Sequence, residues 1–336
     1  MTDTMTRRTL GKSAIEVSAL GLGCWAIGGP FSTPDVVSGY GSVDDEESVR
    51  AIHRALELGV TIFDTADVYG CGHSERILGQ ALGKRRHEVF IATKFGNQFD
   101  EATRMKTGAM NDPQTYVRRA CEDSLRRLQT DYIDLYQIHL GDYDLERALE
   151  VREILEQLVT EGKIRFYGWS TDDAERARLF AQGEHCLAIQ TQLNLFERHS
   201  DVLTVCQDYQ LACINRGPLA MGLLTGKYTS RKQIGPEDIR LSQLSWNYFN
   251  SERLPGLLAC LEQVRDILTA DGRTLAQGAL GWIWAFNEQS IPIPGFKTVK
   301  QVEENVAAMQ YGPLSQHQMR QIEEILGRVS DNAARG

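Results

Sequence analysis

The chain has 336 residues, 42% of them hydrophobic and 24% charged, the composition of an ordinary globular protein. Its 36 basic and 45 acidic side chains leave a formal charge of −9, which argues against a nucleic-acid or anionic-membrane binder but permits one small basic pocket for a phosphorylated ligand. Seven cysteines without a C-x-x-C pair, no apolar leader in residues 1–8 and no run of about 18 uncharged apolar residues lead us to expect a reduced, cytoplasmic protein that crosses no membrane.

The first expected element is a short hairpin, 8–10 with 16–17, around Gly11 and Lys12. Apolar, strand-like runs follow at 19–24, 61–66, 89–94, 133–139, 164–170, 188–192, 212–217 and 290–295. Each ends in a small or polar residue, and helical periodicity fills the intervals, most clearly at 44–58, 114–127, 144–161 and 257–268. Asp44 ahead of Glu47 reads as a capping box, and Asp112-Pro113 as a second helix start. The acidic run at 44–47 reads as a solvated helix start favoured by the dipole. Val89-Phe-Ile-Ala-Thr is apolar without alternation, as a parallel strand covered by helices requires. About eight such units predict a closed (β/α)8 TIM barrel, one domain over 1–336, with an N-terminal β-hairpin and long loops at its C-terminal face. The insertion at 228–255, with Trp246, Tyr248 and Phe249, is long enough to be functional.

Two phosphate-binding motifs fail on inspection. Gly21-Leu-Gly23-Cys-Trp-Ala26 fits a dinucleotide fingerprint, but Gly28-Gly29-Pro30 and Pro34 forbid the helix it must open. Gly222-Leu-Leu-Thr-Gly226-Lys227-Tyr228 is one residue short of a P-loop and has Tyr where a metal-binding hydroxyl belongs. No zinc or serine-hydrolase motif is present, and no metal is expected.

In a barrel the chemistry sits at the carboxyl ends of the strands. The second run ends in Phe63-Asp64-Thr65-Ala66-Asp67-Val68-Tyr69-Gly70, the third in Ala92-Thr-Lys94-Phe-Gly96 and the fourth in Gln137-Ile-His139. Successive barrel strands are neighbours, so Asp64, Lys94 and His139 should converge beneath Tyr69. A phenol titrates near 10, too high for efficient proton exchange at neutral pH. A buried ammonium would lower that value, a carboxylate would keep the ammonium charged, and a neutral imidazole would orient a carbonyl oxygen. The set suits a tyrosine acid that protonates a carbonyl oxygen as hydride reaches the carbon. Taken singly each residue has a structural reading, from strand-end cap to packed ring; their joint placement favours chemistry.

These motifs, with Leu20-Gly-Leu-Gly-Cys-Trp25, Leu223-Leu-Thr-Gly-Lys-Tyr228 and Ile293-Pro-Gly-Phe-Lys297, occur in an order that resembles the aldo-keto reductase superfamily over nearly the whole chain. The resemblance implies NADPH, with NADH possible, bound extended on the barrel without a metal. It implies Tyr69 as general acid/base, Lys94 and Asp64 as the groups that tune it, and His139 as the orienter of a small carbonyl substrate. It further implies cofactor contacts from Gly23, Cys24, Trp25 and Asp64, and from Ser170, Thr171 and Gln190 around the nicotinamide. Arg216 stands where many relatives stack an aromatic ring. Gly217, Pro218, Leu219, Gly222, Leu224, Gly226 and Lys227 match the segment folded over the pyrophosphate. Gly295, Lys297, Thr298 and Gln301 match the 2′-phosphate site, and Glu304 and Asn305 the adenine contacts. Thr171 replaces a common asparagine, and Gln301 a frequent arginine. Trp25 and Trp246, with the loops at 31–41 and 228–255, are candidates for lining the substrate pocket.

Other functions remain open at this point. A cofactor-binding regulatory subunit would bind NADPH without turnover. A Schiff-base enzyme would be trapped by borohydride on Lys94. An internal-redox epimerase or lyase would retain NADP.

Overall fold

The computed structural model describes residues 7–327, so the ends, including most of the segment read as lacking a leader, lie outside the described residues. The hairpin forms from β1 (Arg7–Thr9) and β2 (Glu16–Ser18), paired antiparallel. Then come β3 (Leu22–Gly23), β4 (Phe31–Ser32), β5 (Val37–Ser38), α1 (Asp45–Glu57), β6 (Ile62–Asp64), α2 (His73–Leu82) and β7 (Phe90–Phe95). Two further strands, β8 (Asn97–Asp100) and β9 (Met105–Ala109), precede α3 (Pro113–Leu128), β10 (Ile133–Ile138), α4 (Leu145–Thr160), β11 (Ile164–Ser170) and α5 (Ala174–Ala181). The remainder is β12 (Cys186–Gln192), α6 (Ser200–Asp208), β13 (Ala212–Arg216), α7 (Leu254–Leu268), α8 (Leu275–Phe286), β14 (Ser290–Pro292), α9 (Val299–Tyr311) and α10 (Gln316–Ile325).

The eight apolar runs supply eight parallel strands in the order β3, β6, β7, β10, β11, β12, β13, β14. A bridge between Gly23 and Gly295, with Gly21 and Gly23 donating to Pro292 and Pro294 at 3.0 Å, joins the last strand to the first. Gly23 has to be glycine for this closure, because a Cβ there would lie 2.8 Å from the carbonyl oxygen of Ile293. Inside the cylinder Ile62, Phe90, Ala92, Leu135, Ala188, Ile214 and Ile291 pack with Leu10 and Val17 of the hairpin. The hairpin therefore plugs the amino end and leaves the carboxyl end for a site.

Helix starts follow the sequence signals with one change. Asp44 caps α1 by accepting from Glu47 N at 3.0 Å, but the Glu47 carboxylate does not return to close a capping box. It accepts from Val299 N at 2.9 Å instead and ties α1 to α9. Pro113 opens α3 at its first turn, where the missing N–H costs nothing. The fingerprint-like segment makes only a single 3-10 turn over Ala26–Gly28, as its glycines and prolines require. A second sheet was not foreseen: β5, β4, β9 and β8 pair in that order over the loops at the carboxyl end. Among the described residues no helix is long and apolar enough to cross a membrane, and all seven cysteines are free.

Candidate active site

The register of β6, β7 and β10 sets Asp64 against Ala92 and Lys94 against Gln137 at the carboxyl end. Lys94 is fully buried, and its ammonium spends its donors on Asp64 Oδ1 at 2.5 Å, Thr65 O at 2.8 Å and the Tyr69 hydroxyl at 3.4 Å. The other carboxylate oxygen of Asp64 accepts from Gln190 Nε2 at 2.7 Å and Gln137 Nε2 at 3.4 Å. Both members of the ion pair are thus held in one arrangement. Tyr69 stands on the tight turn after β6. Its ring stacks on Trp25 at 5.8 Å and meets His139 edge-on at 5.6 Å.

Asp64 and Tyr69 hold the Lys94 ammonium above its usual value, although burial alone would lower it. Burial pushes the Tyr69 phenol up, against the field of Lys94. This reverses the lowering expected from the sequence: in a site this dry, loss of hydration outweighs the ammonium. The phenol is therefore a protonated donor at neutral pH. Burial drives His139 well below the usual imidazole value, with Lys94, Arg216 and Lys106 adding to it, so the ring is neutral. Its Nδ1 is buried without a partner.

That depression carries a sign for stability. Below about pH 6.5 the unfolded chain takes up a proton that the folded imidazole refuses, so stability falls as pH falls. Urea unfolding from pH 7 to 5 should show a steeper loss for the native sequence than for His139→Gln; parallel curves would contradict the depressed value.

Above these groups opens a cavity of about 1310 Å³. Gly23, Trp25, Asp64, Tyr69, His139, Ser170, Gln190, Arg216, Gly217, Pro218, Leu219, Gly222, Lys227, Trp246, Gly295, Lys297, Thr298, Gln301, Glu304 and Asn305 all line it. Four residues assigned to cofactor contacts do not. Cys24 turns its sulfur to Leu22 O, and Thr171 donates to Gly141 O at 2.7 Å. Each follows a residue that does face the cavity, and successive strand residues point opposite ways. Leu224 is buried in the core, and Gly226 lies against Leu275.

The remaining assignments are refined by their partners. The Arg216 guanidinium pairs with Asp172 and donates to Gln192. Lys297 Nζ donates to the carbonyls of Tyr40 at 2.9 Å, Gly41 at 3.4 Å and Ser42 at 2.6 Å. Thr298 caps α9 through Gln301 N, the Gln301 side chain accepts from Lys297 N, and Asn305 donates to Gly295 O. Between Gly217 and Gly226 the backbone takes positive φ at five residues, Gly217, Ala220, Met221, Gly222 and Gly226, and the N–H groups of Ala220, Gly222, Leu224 and Gly226 bond carbonyls within the segment.

The loops at 31–41 and 228–255 do supply wall residues, though sequence reasoning did not single out which side chains or how they meet. Tyr40 packs edge-on against Trp25 at 5.0 Å, and Ile239 N bonds Gly39 O at 2.8 Å, which fastens the 228–255 insertion to the loop at 39–42. Buried Asp238 and Arg240 pair beside them, with Arg240 over the Tyr228 ring at 4.4 Å. Tyr248 anchors the same insertion through Asn194 at 2.7 Å and Glu197 at 2.8 Å. Of these only Tyr248 was named individually, as an aromatic residue in a long insertion; the others were covered only by their loops. Trp246 stays 46% exposed at the rim.

A barrel whose open end brings a buried lysine, a carboxylate, a phenol and a neutral imidazole together beneath one large cavity defines a class of barrel oxidoreductases. The sequence pattern of the Aldo/keto reductase family matches residues 19–327, and the chain belongs to that family. It is 30% identical over 321 residues to the uncharacterized oxidoreductase YqkF of Bacillus subtilis, covering 95% of this chain and 96% of that one. With the aldo-keto reductase YhdN of the same organism it shares 34% over 290 residues, 83% of this chain and 81% of that one. Among solved structures it resembles a glycerol dehydrogenase from Gluconobacter oxydans, with a TM-score of 0.79, 30% identity and coverage of 97% and 96%. It also resembles an aldo/keto reductase from Klebsiella pneumoniae in complex with NADP and acetate, with a TM-score of 0.68, 28% identity and coverage of 98% and 97%. The protein is an oxidoreductase.

Proposed function

We propose that the whole chain acts as one barrel that reversibly reduces an aldehyde or ketone to an alcohol with NADPH. The observation that carries this reading is the Lys94 ammonium, buried between Asp64 and the Tyr69 hydroxyl. Neutral His139 holds the carbonyl oxygen near the phenol, and Tyr69 passes its proton to that oxygen. Lys94 then faces the phenolate that forms, and Asp64 keeps Lys94 charged. A bound reduced nicotinamide supplies hydride to the carbonyl carbon.

The residues present fit such a cofactor. The cations Lys227, Lys297 and Lys300 line the cavity, the last two beside the N-terminus of α9, where an anion is favoured. Lys297 rests on three neutral carbonyls while burial and the fields of Arg240 and Lys227 push its ammonium down, partly offset by Asp238. An anion would relieve this arrangement. Lys297→Met should raise the Kd for NADPH by about 10–100-fold, the usual worth of a charged hydrogen bond, and leave NADH nearly unchanged. Equal losses for both cofactors would remove Lys297 from the phosphate site.

The test of the function is NADPH oxidation with a panel of aldehydes and ketones. Turnover that disappears in Tyr69→Phe supports the reading. Tight NADPH binding with no oxidation across the panel would overturn it in favour of a regulatory subunit.

A further inference from the structure

The cations on the cavity wall fall into two groups. Lys227 and Arg240 act on Lys297, at the end formed by the 217–226 segment and α9. Lys106 stands apart from them; its field falls on His139, as do those of Lys94 and Arg216, which are paired with Asp64 and Asp172. It lies on β9, where Lys106 and Gly108 alternate with the more exposed Met105, Thr107 and Ala109, so this face of the strand turns toward the cavity. The same arm carries Asn97 on β8, paired in register with Ala109, while Phe99 is set against Lys106. Both Asn97 and Lys106 line the cavity with Tyr69 and His139.

Neither side chain has a protein partner among the described residues. Asn97 is only 6% exposed, yet its carboxamide makes no hydrogen bond. Lys106 is half-buried and forms no ion pair, although the chain carries an excess of nine acidic side chains. Two acidic groups close to it in sequence are engaged elsewhere. Glu101 binds Arg76 and Arg127, and Asp100 accepts from Thr103. The Lys106 ammonium and the Asn97 carboxamide therefore meet the cavity with hydrogen-bonding capacity to spare for a polar group there. Both line the same cavity as Tyr69, where the reacting carbonyl sits in the proposed function, so a substrate bound there can supply that group.

Resting on that reading, we propose that Lys106, assisted by Asn97, anchors an anionic group, carboxylate or phosphate, on the substrate at the end remote from the reacting carbonyl. The enzyme then prefers carbonyl acids to neutral carbonyls of the same shape. The preference resides in the β8–β9 arm rather than in the proton-transfer group.

The test compares kcat/KM for matched pairs: 4-carboxybenzaldehyde against 4-formylbenzamide, and glyceraldehyde 3-phosphate against glyceraldehyde. In the native sequence the anionic member of at least one pair should be favoured. Lys106→Met should lower that anionic-to-neutral ratio by about 10–100-fold, chiefly through KM, as expected for a charged hydrogen bond. Lys106→Arg should restore most of it, which a merely structural role would not predict, and Asn97→Ala should give a smaller loss. The pair that responds identifies the anion as carboxylate or phosphate. Reduction of all four compounds with ratios untouched by Lys106→Met overturns the anchor and leaves the reductase reading standing. No reduction of any of them overturns the reductase reading first.

Discussion

Tyr69→Phe is expected to lower kcat for carbonyl reduction by about 10²–10⁴, the usual contribution of a positioned general acid, without weakening NADPH binding. The substitution removes one oxygen and keeps the ring, so the stack on Trp25 and the edge contact with His139 persist. What is lost is the only hydroxyl within reach of Lys94 Nζ, at 3.4 Å, among the described residues. Burial holds that phenol protonated through neutral pH, so it can donate whenever a carbonyl oxygen arrives. Neutral His139 cannot replace it, because its depressed pKa leaves it without the extra proton to give. Single-turnover kinetics with quenching of NADPH fluorescence separates the two quantities. A variant that loses cofactor affinity yet keeps kcat at saturation would take the proton-donor role away from Tyr69.

Asp64, Lys94, Tyr69 and His139 were legible because their placement is local. Each closes, or immediately follows, an apolar run, and consecutive parallel strands are neighbours in a barrel. Cys24 and Thr171, taken over from the resemblance alone, do not face the cavity, because a one-residue step moves a side chain to the opposite face. Sequence reasoning also misjudged the direction of the Tyr69 shift, since the dryness of a site depends on everything packed around it and not on the residues that name it. The second sheet was the least legible part. Whether Lys106 and Asn97 face the cavity depends on how β4, β5, β8 and β9 pair, and these are strands of two to five residues, with Ser32 of β4 paired to Met105 of β9 across 73 positions. Tyr40 and Arg240 meet only because the backbone at Ile239 bonds to Gly39, and no pattern in either segment announces that contact.

Lys94→Met should act on stability and turnover together, and the two effects can be pulled apart. The variant leaves Asp64, itself 2% exposed, as a buried carboxylate facing only the amides of Gln190 and Gln137. Removing one partner of such a pair costs about 3–5 kcal/mol, because the remaining charge keeps its desolvation penalty without its counter-ion. Turnover should fall by about as much as in Tyr69→Phe, since the phenolate formed on proton transfer would meet no cation and would lie close to a carboxylate. Adding Asp64→Asn removes the stranded charge and keeps the shape, so Lys94→Met/Asp64→Asn should recover most of the stability in urea. It should recover none of the turnover, because the ammonium is still missing. Return of activity in the double variant would mean that Lys94 serves only to neutralise Asp64, and the proton-transfer role would pass to a site without it.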